Sequence, residues 1–194
     1  MNYSDIKLQT GDIFLTDDFS IQSKIVKFLM RAPTLWQYLW RALRGTLEEV
    51  RFYHAGIVIS STQIIEQQED VRVRNVDVIF KNNKNFVIWR KINLTSLERL
   101  RLHAVALSDL NKGYDIILCF GKFIDWILGT KIFARIIQEK EKEICVTRVA
   151  KWYLNAIGET FGCKSWHNVT TKIIDEYCLA HPNEWEQVVI KGSK

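Results

Sequence analysis

From about residue 53 the hydrophobic period of the sequence changes, and that change limits what the chain can fold into. Residues 53–60, 63–67, 71–76 and 86–92 are runs of β-branched and aromatic residues bounded by turn formers, the pattern of strands joined in an antiparallel meander. Before and after this block the pattern is helical. One amphipathic stretch covers 20–30 and is stopped by Pro33; another, over 34–47, carries Trp36, Tyr38 and Trp40. Thr95-Ser-Leu-Glu98 has capping-box spacing, and Leu97, Leu100, Ala104, Leu107 and Leu110 follow at helical intervals, so a helix buried along that stripe is expected up to Gly113. Further helices are expected over 114–128, 131–140, 144–157 and 169–180, with a short strand at 11–16 entered through a glycine turn and a last one at 186–190. Strands gathered together with helices around and after them give an α+β arrangement, a central antiparallel sheet packed against helices. With 194 residues, 47% of them hydrophobic, one domain with its own core is expected, and the aromatic segment at 34–51 reads as an insertion in it.

The charge pattern excludes some partners. The net charge is +5, and Lys and Arg are scattered among acids rather than gathered into an arm or stripe, so no nucleic-acid partner is expected. The slight basic excess suits solvated surface, with an anionic partner or peripheral membrane contact as the alternative. Residues 1–10 carry Asp5 and Lys7 and lack the basic and apolar regions of a signal peptide, and the most apolar stretch, 116–137, is interrupted by Lys122, Asp125, Lys131 and Arg135. Cys119, Cys145, Cys163 and Cys178 include no closely spaced pair, which suits reduced thiols. A cytoplasmic location is the resulting expectation.

One of these cysteines stands where a thiol can be activated. Cys145 falls in the first turn of the 144–157 helix, where unpaired backbone N–H groups and the helix dipole favour a thiolate. His54 heads the run Tyr53-His-Ala-Gly-Ile-Val-Ile59, and Glu66 lies in the next one. If the hairpin turns at Ser60-Ser61-Thr62, His54 lies roughly across from Glu66 and Gln67, either of which could accept the imidazole Nδ1 proton, the carboxylate more strongly. A nucleophile, a base and a residue to orient the base are thus all available. Cys163, His167, Cys178 and His181 have a spacing that must be weighed as metal-ligating, but the order is not that of a common zinc finger, and no metal or organic cofactor is expected.

Gly11-Asp-Ile-Phe-Leu15, then His54-Ala-Gly-Ile-Val-Ile59, Ile65-Glu-Gln67 with Val71-Arg-Val73, Tyr114-Asp115 and finally Cys145 opening a helix together resemble the permuted papain-like amidases. These are the circularly permuted relatives of the NlpC/P60 peptidases, of YiiX and YaeF type, in which the histidine strand precedes the cysteine helix. The resemblance runs from Gly11 to about Val188 and implies a thiol amidase or peptidase with Cys145 as nucleophile, His54 as base and Glu66 as the third polar residue, without a cofactor. It puts Asp12 on a strand bordering the cleft. Where the family often reads Cys-Ser-Glu, this chain reads Cys145-Val-Thr-Arg148, and the segment at 34–51 is longer than expected. Arg148, Tyr53, Trp36 and Trp40, with Asp12, are the candidates for substrate contact, the tryptophans as a lid or wall. The implied substrate is a peptide or amide, with cell-wall peptides first. The distantly related lecithin-retinol acyltransferase group suggests a lipid ester instead, and a binding module with an unreactive Cys145 is the third reading.

Overall fold

The computed structural model describes residues 6–17, 52, 54–68, 70–82, 85–113 and 145–191. The helices expected at 20–30, 34–47, 114–128 and 131–140 lie outside the described residues, as does the proposed insertion at 34–51.

Among the described residues the fold is α+β, built on a six-stranded antiparallel sheet. Its strands are β1 (Ile13–Thr16), β2 (His54–Val58), β3 (Gln63–Gln67), β4 (Val71–Asn75), β5 (Phe86–Lys91) and β6 (Trp185–Lys191), in the order β4-β3-β2-β1-β5-β6. The β2–β3 hairpin does turn at residues 60–62, with the Ile59 and Ser60 N–H groups donating to the Gln63 carbonyl. Gly56 then faces Glu66, and Val58 faces Ile64.

Both faces of the sheet are covered, which is why its strands read as nearly continuous apolar runs rather than as alternating ones. On one face Ile13, Leu15, Ala55, Ile57, Ile65, Val87 and Trp89 pack against helices. On the other, Phe14, Val58, Ile64, Phe86 and Ile88 meet Leu8, Val76, Ile79 and Val189. Ile79 belongs to helix α1 (Asp77–Asn82), which the sequence did not suggest. Its residues Val78, Ile79 and Phe80 have strand-type side chains, but the Asn75 side chain accepts from the Asp77 N–H and turns the chain.

Helix α2 (Ser96–Leu107) starts at the expected capping box: Thr95 Oγ1 accepts the Glu98 N–H, and the Glu98 carboxylate accepts the Thr95 N–H. Its buried face is not the expected one. Leu97 and Leu100 are 56% and 62% exposed, whereas Leu102 and Ala106 are fully buried. The helix carries apolar residues on more than one side, and contacts distant in sequence choose between them. Arg99 donates to the Thr10 carbonyl at 2.7 Å, and Leu102 closes over Gly11, so the line through Arg99, Leu102, Ala106 and Asp109 faces the core, beside the residues that lead into β1.

Helix α3 (Cys145–Ile157) packs against α2, β2 and β3 and is buried along its whole first half. Helix α4 (Thr171–Ala180) is capped by Thr170, whose side chain accepts from the Ile173 N–H. Thr171 Oγ1 donates to the Phe52 carbonyl at 2.6 Å, fastening this helix beside the start of β2. The first residue of β2 and the first residue of α3 are therefore both held by packed structure.

Candidate active site

His54 opens β2, opposite Thr16 at the end of β1. Two residues along β2, Gly56 lies under the Phe14 ring; a Cβ there would come within 2.4 Å of that ring and 2.7 Å of the Ile65 carbonyl oxygen. Only glycine allows that approach. The Phe14 ring thereby comes beside the imidazole, with ring centroids 6.1 Å apart, and His54 is only 7% exposed.

Glu66 faces Gly56 across the hairpin, so side-chain alternation sends it to the same sheet face as His54, one step along. The His54 Nε2–H donates to Glu66 Oε2 at 2.8 Å. The ring is thus turned the other way from the expected Nδ1 contact. Glu66 lies diagonally rather than directly across, and Nε2 is the nitrogen farther from the backbone, able to span that offset. The other ring nitrogen is left for the thiol. Gln67, the alternative acceptor, points through the opposite face, where its amide donates to the Gly113 carbonyl and accepts from Arg148.

Cys145 is the first residue of α3 and is 5% exposed. Its sulfur is hydrogen-bonded to the His54 imidazole and receives the Ala55 and Val146 N–H groups, one from the strand and one from the helix start. Burial pushes the thiol up, but the imidazolium charge and these hydrogen bonds outweigh it and hold the group below its ordinary value. Burial pulls His54 down, and the thiolate with the Glu66 carboxylate overcomes that and raises it well above an ordinary histidine. Glu66 in turn is raised by burial and brought below a usual glutamate by His54 and by Arg74, whose Nη1 donates to Oε1 at 2.8 Å. The three shifts agree: thiolate, imidazolium and carboxylate stabilise one another in a place where each alone would be costly to charge.

The expected substrate contacts fare differently. Arg148 is fully buried; its guanidinium donates to Gln67 at 2.9 Å, to Asp109 at 3.0 Å and, more weakly, to the Gly113 carbonyl at 3.4 Å. These bonds hold α3 to β3 and to Asp109 just beyond α2, from a position one turn along from Cys145 on the inward side of the helix. Asp12 is also fully buried, paired with Arg90 through both oxygens at 2.8 Å. It precedes Ile13 and so lies by the Val58 end of β2, at the far end of β1 from Thr16 and His54. Tyr53, Trp36 and Trp40 lie outside the described residues.

Arg74 and the Phe14–Gly56 contact are the parts of the site that sequence reasoning missed. The alternation Val71-Arg-Val-Arg74 did put two arginines on one side of a strand, but connecting Arg74 with Glu66 required the β3–β4 register, in which Arg74 faces Ile64.

No protein-family model matches this chain, and no curated protein matches it. Among solved structures it is similar to the crystal structure of metalloprotein yiiX from Escherichia coli O157:H7, DUF1105, with a TM-score of 0.59 over 96% of this chain and 99% of that one, at 16% sequence identity. The likeness shows a shared fold, of the YiiX type. The word metalloprotein describes that relative. Among the described residues of this chain no three His, Cys, Asp or Glu side chains converge to hold a metal ion, Cys163, His167, Cys178 and His181 included.

Proposed function

We propose that the protein is a thiol hydrolase of the permuted papain-like, NlpC/P60-related kind, cleaving an amide or peptide bond with Cys145 as nucleophile, His54 as general acid and base, and Glu66 orienting the imidazole. The observation that carries this is the placement of His54 between a thiol at a helix N-terminus and a buried carboxylate 2.8 Å from its Nε2. Neither a packed structural cysteine nor an ordinary strand histidine requires both contacts.

The chemistry follows from the charges. The Cys145 thiolate adds to the carbonyl carbon, and the oxyanion that forms lies near the N-terminus of α3, where the helix dipole favours negative charge. The imidazolium gives its proton to the leaving nitrogen as the C–N bond breaks, leaving a thioester and a neutral His54. His54 then takes a proton from water, the hydroxide adds to the thioester carbon, and the C–S bond breaks to release the acid and restore thiolate and imidazolium. Glu66 stays ionised throughout and keeps Nε2 protonated, so the other nitrogen does the proton transfer.

The bond attacked is tested with a panel of peptide amides, cell-wall fragments and lipid esters, each offered to wild type and to Cys145→Ala. Turnover of a peptide amide that vanishes in Cys145→Ala is expected. Turnover that survives the substitution contradicts the mechanism, and turnover confined to lipid esters moves the substrate class while keeping the nucleophile.

A further inference from the structure

The Glu66 carboxylate has two oxygens and a cation on each. Oε2 accepts from His54, and Oε1 accepts from Arg74, both at 2.8 Å. Arg74 comes from β4, one step along from the residue facing Glu66, on the same side of the sheet. The residue that does face Glu66 is Arg72, yet its guanidinium turns to Asp70, 3.2 Å away. Four groups of alternating charge therefore cross from α3 through β2 and β3 to β4: Cys145, His54, Glu66 and Arg74. Among the described residues, the charged groups set around Glu66 are His54 from β2 and Arg74 and Arg72 from β4, the last shared with Asp70, with Cys145 of α3 acting through His54.

A carboxylate with one hydrogen bond can rotate about its Cγ–Cδ bond, whereas one held at both oxygens cannot. A buried carboxylate with one cation beside it is also easier to protonate than one with two. We propose, resting on the thiol-hydrolase reading above, that Arg74 is a positioning residue of the site: it fixes the Glu66 carboxylate toward His54, keeps it charged, and thereby sets the pH range over which Cys145 and His54 exist as thiolate and imidazolium. The Glu66 side chain is 4% exposed and that of Arg74 29%, so the arginine reaches the carboxylate from the solvent side. Without it, burial of Glu66 is opposed by His54 alone, and Glu66 takes up a proton at higher pH. A neutral Glu66 no longer supports the imidazolium. On the acid side, where Glu66 is neutral, the imidazolium is less favoured and stabilises the thiolate less, so Cys145 gains its proton at higher pH and the active range narrows from below.

The test is the rate of Cys145 alkylation by iodoacetamide across pH, followed by mass spectrometry on the full chain, for wild type, Arg74→Gln, Arg74→Lys, Glu66→Gln and the Glu66→Gln, Arg74→Gln double variant. Arg74→Gln is expected to move the acid limb up by about one pH unit, slowing reaction on that limb about tenfold. Arg74→Lys, which keeps the charge, should restore most of the rate. In the Glu66→Gln background, adding Arg74→Gln should change the rate by less than about twofold, since the group it acts through is gone. A wild-type profile in Arg74→Gln, or an undiminished loss in the Glu66→Gln background, would overturn the proposal; so would a variant that melts early but keeps the wild-type profile. A wild-type Cys145 that reacts no faster than Cys163 is a different failure, that of the hydrolase reading itself.

Discussion

Cys145 and Cys178 are both buried thiols, and their surroundings drive them apart. Burial, with Asp175 and Glu159 in the neighbourhood, pushes Cys178 far above an ordinary thiol, while Cys145, just as enclosed, is held below one by His54 and two backbone N–H groups. The difference is made by partners rather than by exposure. The same reasoning gives Glu66 a part in stability. Its folded value lies below its unfolded one, so the stabilisation is present above the unfolded glutamate range and is lost as pH falls through the folded value. Denaturant unfolding of wild type should accordingly weaken as pH drops below about 4, and Glu66→Gln should flatten part of that decline. An acid dependence identical in the two proteins would show that Glu66 is not the buried charged partner described here.

At the level of single elements, the buried guanidinium of Arg148 joins three of them. Asp109 at the end of the α2 segment accepts from both Arg148 and Trp152 at 3.0 Å, and Gln67 on β3 accepts from Arg148 one residue from Glu66. Asp109 keeps Lys112 on its other oxygen, but without the guanidinium Gln67 loses a buried donor and Asp109 Oδ2 keeps only Trp152 among the described residues, so Arg148→Met should cost about 1–3 kcal/mol in denaturant unfolding, whereas a loss under about 0.5 kcal/mol would match an exposed side chain. Helix α2 offers a second test. Leu102→Ala should cost about 2–5 kcal/mol and Leu100→Ser almost nothing, the reverse of what the sequence stripe implies. That contrast marks the limit of what was legible. The capping box, the hairpin turn and the runs of β2 to β5 are local patterns, and each lies where the sequence put it. The face that α2 buries, the short helix after Asn75, the turn of the His54 ring and the inward direction of Arg148 all depend on residues far away in sequence, which periodicity does not contain.

For the whole molecule, covering both faces of the sheet leaves the end of β2 as a place where a strand from the first half of the chain meets a helix start from the second. His54 and Cys145 are 91 positions apart in sequence, and their order, histidine strand before cysteine helix, was readable without knowing any contact between them. Arg74 was not, because only sheet register brings it to Glu66. Among the described residues no helix is long and apolar enough to cross a membrane, and the full-length likeness to the YiiX structure concerns fold alone. The chemistry assigned to the chain therefore rests on the state of one thiol. Its most direct measurement is iodoacetamide alkylation of the native protein from pH 5 to 8, resolved by cysteine, in wild type and His54→Ala. Cys145, although 5% exposed, should react faster than the more accessible Cys163 at and below neutral pH, and His54→Ala should slow it about tenfold for each pH unit by which the thiol returns toward its ordinary value. A Cys145 that reacts no faster than Cys163, or at a rate indifferent to His54, would contradict the thiolate–imidazolium pair and the hydrolase built on it.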